Sequence, residues 1–182
     1  MSVNLSLGLI ELGSIASGFL VTDTMLKTAA VELVLARTIC SGKYMVLVKG
    51  DVAAVQAAVR AGAAVTETID TFVIPNVHEA VPPAIAGLSK VEVLEALGVI
   101  ESFSVASLIE GADAMVKTAN VRLVEVRLAM ALGGKAFASC TGSVADVTSA
   151  VEAGAQAIAR KGLLVNRIVI PRPRPELLSD LI

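Results

Sequence analysis

Only a few residues of this 182-residue chain have the chemistry of a ligand or a catalyst. Cys40 and Cys140 are its two thiols, and His78 is its one imidazole. One His per chain speaks against a His-based catalytic triad or a multi-His zinc site within one chain. Cys40 stands in Cys40-Ser41-Gly42, which is turn sequence and not a strand face. Two readings of it stand at this point. It is either a small apolar side chain in a core, the common fate of a thiol outside a disulfide, or a thiolate ligand. Cys140 lies just before Gly142 in a strand-like run and reads as core, not as a ligand. Gly133-Gly134-Lys135 reads as a hairpin turn, because the full Gly-x-x-x-x-Gly-Lys-Ser/Thr pattern of a phosphate loop is absent.

The elements that carry these residues are written twice. Over Gly8–Arg37, 15 of 30 positions recur identically 90 residues later, which makes the chain a tandem duplication. Asp23-Thr24-Met25-Leu26-Lys27-Thr28-Ala29 returns as Asp113-Ala114-Met115-Val116-Lys117-Thr118-Ala119. The offset then becomes 92, so that Gly42-Lys43 matches Gly134-Lys135, Gly50 matches Gly142 and Gly62 matches Gly154. Ile74-Pro75 returns as Ile170-Pro171. Glu11 and Glu101 occupy the same place in the two copies, so they read as a repeated structural residue and not as a catalytic carboxylate pair. Lys27 and Lys117 are matched helix positions, and solvated lysines by default. His78 reads as a surface or edge residue after a strand. The copies differ where Cys40-Ser41-Gly42 is replaced by Met130-Ala131-Leu132-Gly133-Gly134. They cannot contribute equally to a shared site there.

Each copy reads as βαββαβ. In the first, the expected order is strand Leu5–Leu12, helix Val21–Ala30 opened by Thr22 and Asp23, and strand Val31–Ile39. A turn, strand Lys43–Gly50, a helix capped by Asp51 with Val52, Val55 and Val59 on one face, and strand Thr71–Ile74 follow. In the second copy Ser143 caps the helix, with Val144, Val147 and Val151 on the face. The expected fold class is α+β: two tandem ferredoxin-like domains, residues 1–86 and 87–182, with Glu79–Ala96 as the connection.

Composition narrows the function. Hydrophobic residues make up 55% of the chain and the mean hydropathy is +0.77. The longest uncharged run, Leu12–Thr22, is too short and too rich in Gly and Ser to span a bilayer. The N-terminus has no basic residue before its apolar part, so a cytoplasmic protein with apolar surface buried between subunits is expected. A net charge of -2 offers no basic stripe for nucleic acid.

The blocks Gly-Leu-Ile-Glu at 8–11, Asp-x-Met-Leu-Lys-x-Ala at 23–29, Val-Glu-Leu-Val at 31–34, Gly-Lys-Tyr at 42–44 and Val-Ile-Pro at 73–75 resemble the bacterial microcompartment shell domain, twice and in unpermuted order. A tandem chain resembles the trimeric class, in which three chains form a six-domain pseudohexagonal tile. Thr38–Lys43, Lys161–Val165 and Val169–Pro173 resemble the T-type tandem shell proteins of propanediol-utilisation compartments.

That resemblance implies a structural shell protein and not an enzyme. It implies a homotrimer in a cytoplasmic microcompartment shell, beside other shell proteins and with encapsulated redox enzymes as partners. It implies one 4Fe-4S cluster per trimer, held on the three-fold axis by Cys40 of each chain and serving electron transfer. Ile39, Ser41, Gly42, Leu132 and Gly133 would line the central pore. Lys27, Lys117, Arg172 and Arg174 would lie at the tile edge. Where the family pattern has Pro after the Cys, this chain has Ser41, which makes the turn less rigid. A tile with a metabolite pore and no cluster is the first alternative. A small-molecule-binding regulator of tandem ferredoxin-like fold is the second.

Overall fold

The computed structural model describes residues 5–87, 89, 91, 94–129, 135–174 and 176–179, without the side chains of residues 41, 178 and 179. The chain divides into two compact units, residues 1–77 and 78–182. In the first, β1 (Ser6–Leu12), α1 (Ile15–Thr28), β2 (Glu32–Ile39), β3 (Lys43–Gly50), α2 (Val52–Ala63) and β4 (Asp70–Ile74) follow in order. The second begins with the short helix α3 (Val81–Ile85) and then repeats the plan as β5 (Ala96–Ser102), α4 (Val105–Thr118), β6 (Arg122–Leu128), β7 (Ala136–Thr141), α5 (Val144–Ala159) and β8 (Leu164–Pro171). A last turn of helix, α6, spans Glu176–Ser179. The sheets are antiparallel with orders β2-β3-β1-β4 and β6-β7-β5-β8, the ferredoxin-like arrangement.

The duplication extends to the register. Leu9 faces Leu47 across β1–β3, and Val99 faces Ser139 across β5–β7. A bulge falls at Leu33/Leu35 in β2 and again at Leu123/Glu125 in β6. Each central strand carries a glycine where a helix crosses it. A Cβ on Gly8 would lie 2.6 Å from side-chain carbons of both Val55 and Val59, and one on Gly98 would lie 2.6 and 2.7 Å from Val151 and Val147. The valine faces of α2 and α5 therefore sit directly on the sheet. Val52 is only half-buried and Val144 is exposed, so the apolar stripe begins one turn later than its first valine.

The first helix starts earlier than expected. Ser14 caps it through Ser17 N–H (3.3 Å), and Ser104 caps α4 through Ser107 N–H in the same way. Thr22 lies inside α1, its hydroxyl returned to the Gly18 carbonyl at 2.7 Å. The boundary between units also falls earlier than the expected 86/87. The cause is local packing: α3 sits on β6 and α4, burying Val81, Ala84 and Ile85. His78 N–H donates to Asp113 Oδ1 at 2.7 Å, and His78 Nδ1 accepts from Ala80 N–H, so the lone imidazole fixes the entry into α3.

Candidate functional site

The turn between β2 and β3 is a single 3-10 turn, Cys40–Gly42. Gly42 makes it possible: its φ is +72°, and no atom lies within 4 Å of where its Cβ would be. Cys40 opens the turn and is only partly buried, whereas Ile39 before it is buried at 7% exposure. The turn thus presents Cys40 and Gly42, with Ile39 anchoring it in the core. Leu132 and Gly133, the expected pore residues of the second copy, lie outside the described residues.

The exit of the turn is fixed by an ion pair that the repeat preserves in the second copy. Lys43 Nζ donates to Glu11 Oε1 at 2.7 Å, and Lys135 Nζ meets Glu101 Oε1 at 2.5 Å. The duplicated glutamates are anchors for the lysine that follows each hairpin. Two details made this legible in the sequence: the shared 90-residue offset of the Glu and the Gly-Lys pair two residues out of step.

Cys140 is a different thiol. It is fully buried in β7 opposite Gly98, and a Cβ on that glycine would lie 2.9 Å from its sulfur. Burial pushes its pKa up from 9.0 to about 12, against a smaller lowering by the Gly98 backbone. The thiolate is the nucleophile and the ligand, so Cys140 is inert while folded. Alkylation at pH 8 followed by peptide mass mapping should leave Cys140 unmodified until denaturant is added. The raised pKa also makes the folded state hold a proton that the unfolded chain releases. This group's stabilisation is therefore intact below pH 9 and is lost as pH rises from 9 towards 12. Urea melts of wild type and Cys140→Ala should converge over that interval.

The four expected edge cations sit on exposed ends of elements. Lys27 pairs with Asp23 at 2.6 Å on α1, and Lys117 with Asp113 at 2.6 Å on α4. Arg172 has φ +47°, and its N–H donates to the Glu95 carbonyl at 3.1 Å. Arg174 pairs with Glu176 at 2.8 Å and holds that carboxyl below its usual pKa. Among the described residues no three His, Cys, Asp or Glu side chains come together as a metal site, so one chain offers one presented thiol. No described helix is long and apolar enough to cross a membrane.

Comparison with known proteins places this geometry. The BMC domain family matches residues 6–77 and 96–173, once per sheet. The bacterial microcompartment shell protein PduT of Citrobacter freundii is 42% identical over 179 residues, 97% of each chain. The shell protein EutM of Escherichia coli K12 is 48% identical over 84 residues, 46% of this chain and 84% of its own. A crystal structure of a microcompartment protein from Desulfitobacterium hafniense DCB superposes with a TM-score of 0.94 at 47% identity, covering 97% of this chain and 99% of that one. Two such domains in tandem, each built on the same four-stranded sheet, mean that the chain belongs to the BMC-domain family of bacterial microcompartment shell proteins.

Proposed function

We propose that three copies of this chain assemble head to tail into a six-domain pseudohexagonal tile of a cytoplasmic microcompartment shell, and that the three Cys40 thiolates together hold one 4Fe-4S cluster. The observation that carries the reading is the contrast between the two thiols. Cys40 is presented on a glycine-closed turn, and Cys140 is sealed in the core. The donor set fits a cluster only when shared, because one chain brings one such thiol and cubane clusters are held by several thiolates. The fourth iron then takes a non-protein ligand, such as water or a small thiol.

Bound there, the cluster would supply one-electron transfer across the tile, with encapsulated redox enzymes as its partners. The chain's own residues do the positioning. Gly42 permits the turn, Ile39 anchors it, and the Lys43–Glu11 pair fixes its exit. Lys27, Lys117, Arg172 and Arg174 then face neighbouring shell proteins at the tile edge.

Sedimentation tests the assembly. The chain should run at three times its 18.6 kDa mass and form sheets or tubes when concentrated, visible by negative-stain microscopy. A discrete monomer or dimer that never forms sheets would overturn the tile and favour a regulator of the same fold.

A further inference from the structure

A cleft of about 400 Å³ opens at one end of the second sheet, and every side chain that lines it is polar. Three strands reach it. Arg122 opens β6 and faces Thr141, the last residue of β7. Asn120 stands just before β6. Glu95 stands just before β5, on the other side of β7, where Leu97 is the residue that faces Thr141. Ser143 caps α5, the helix that begins directly after β7. The cleft therefore has a cationic wall on the β6 side, an anionic wall on the β5 side, and Thr141 between them. Neighbouring strands lie about 5 Å apart, so the backbones of the two walls are separated by roughly 10 Å. Arg122, Asn120 and Glu95 are exposed, which leaves the cleft open to solvent.

Thr141 forms the floor. It is 5% exposed, and its Oγ1 has no hydrogen-bond partner. A buried hydroxyl left unpaired is costly, and a partner held in the cleft removes that cost. The start of α5 adds positive potential, because the N–H groups of Val144 and Ala145 have no acceptor within the helix. Ser143 Oγ accepts from Asp146 N–H at 3.1 Å and donates to Asp146 Oδ2 at 2.6 Å, so the Asp146 carboxylate is turned to the cap. The first copy lacks this set. Its matching residues are Leu5, Ala30, Glu32, Lys49, Asp51 and Ala54, and all six differ from their twins. Lys49 Nζ there pairs with Glu32 at 3.0 Å, so an ion pair across the strands stands where the second copy has Arg122 beside a threonine hydroxyl. The repeat keeps structural residues such as Glu11 and Glu101, but it does not keep these.

We infer that this cleft binds a small zwitterion, with a carboxylate and an ammonium a few atoms apart as in a free amino acid. The carboxylate meets Arg122 and the first N–H groups of α5, and the ammonium meets Glu95. A hydroxyl on the ligand pairs with Thr141 and Asn120. An apolar ligand has no wall to pack on, and a simple anion leaves Glu95 without a counter-charge. The site lies wholly within the second unit, so it stands or falls independently of the tile and of Cys40.

The test is an NMR titration of the isotope-labelled full chain with L-serine, and separately with acetate and methylammonium as the two halves of the ligand. L-Serine should shift the amide signals of residues 141–146 saturably and bind at least tenfold tighter than either half. Thr141→Val and Arg122→Gln should each weaken binding at least tenfold. Thr141→Ser should retain it, and Glu32→Gln in the first copy should leave it unchanged. Thr141→Val removes an unpaired buried hydroxyl, so its melting temperature should not fall, which separates loss of ligand from loss of fold. No shift with any of the three probes would overturn the inference. Either half binding as tightly as L-serine would overturn it too, by making the cleft a plain ion site, as would L-serine shifts that persist unchanged in Arg122→Gln.

Discussion

Gly18→Leu alone should cripple the first unit, and adding Tyr44→Ala should rescue it. A Cβ on Gly18 would fall on the Tyr44 ring, with the Tyr44 Cβ only 2.9 Å away. That ring is buried between α1 and β3 and packs on Phe19 at 5.4 Å. The second copy solves the same contact with the volumes exchanged. Leu108 stands at the position of Gly18 and Ala136 at that of Tyr44, both fully buried. Overpacking makes Gly18→Leu cost about 3 kcal/mol or more, and the cavity left by Tyr44→Ala costs about 3–5 kcal/mol. The double variant restores the second copy's combination and should cost less than about 1.5 kcal/mol. A coupling of several kcal/mol, read from urea melts of the four proteins, checks the account. Additive losses would mean that the two side chains do not share one space.

That pair also shows what the sequence made legible and what it did not. The duplication, the βαββαβ order and the valine faces of the helices followed from period and offset, because a repeated residue usually does a repeated job. Gly8 and Gly98, and Glu11 and Glu101, were legible as repeated residues; the valines and lysines they meet are shown by the fold. Compensated pairs such as Gly18–Tyr44 and Leu108–Ala136 escaped, because each partner looks like unrelated divergence until the fold brings them together. The start of α1 is not legible, because Thr22 and Asp23 offer cap chemistry inside what is helix, while the actual cap is Ser14, the twin of Ser104. The packing of residues 78–87 is not legible either, because two prolines and a glycine read as a connection. Pro82 and Pro83 occupy the first turn of α3, where a missing N–H costs nothing. The presented Cys40 was legible as a turn residue. So was the contrast with Cys140, whose place in a strand-like run before Gly142 reads as core and which is fully buried in β7.

The second large effect is all-or-none. Cys40→Ala removes the one presented thiol of each chain, so a shared cluster would lose all its protein sulfurs at once. Cys140 cannot substitute, because its thiol stays protonated to about pH 12 and has no path to solvent. The substitution lies in a partly exposed turn outside the core, so fold and assembly should survive it within about 0.5 kcal/mol. Loss of metal would then report ligation and not unfolding. Cys140→Ala should retain the metal, which separates a specific role for Cys40 from a general need for thiols.

The most direct test is iron and acid-labile sulfide content, with electron paramagnetic resonance after reduction, on anaerobically purified wild type and Cys40→Ala. The account predicts about four irons per three wild-type chains, a signal that appears on reduction, and neither in the variant although it still assembles. Assembled wild-type protein that stays free of iron after strict anaerobic purification and attempted reconstitution would contradict it. The tile would then be one whose Cys40 turn opens on a pore.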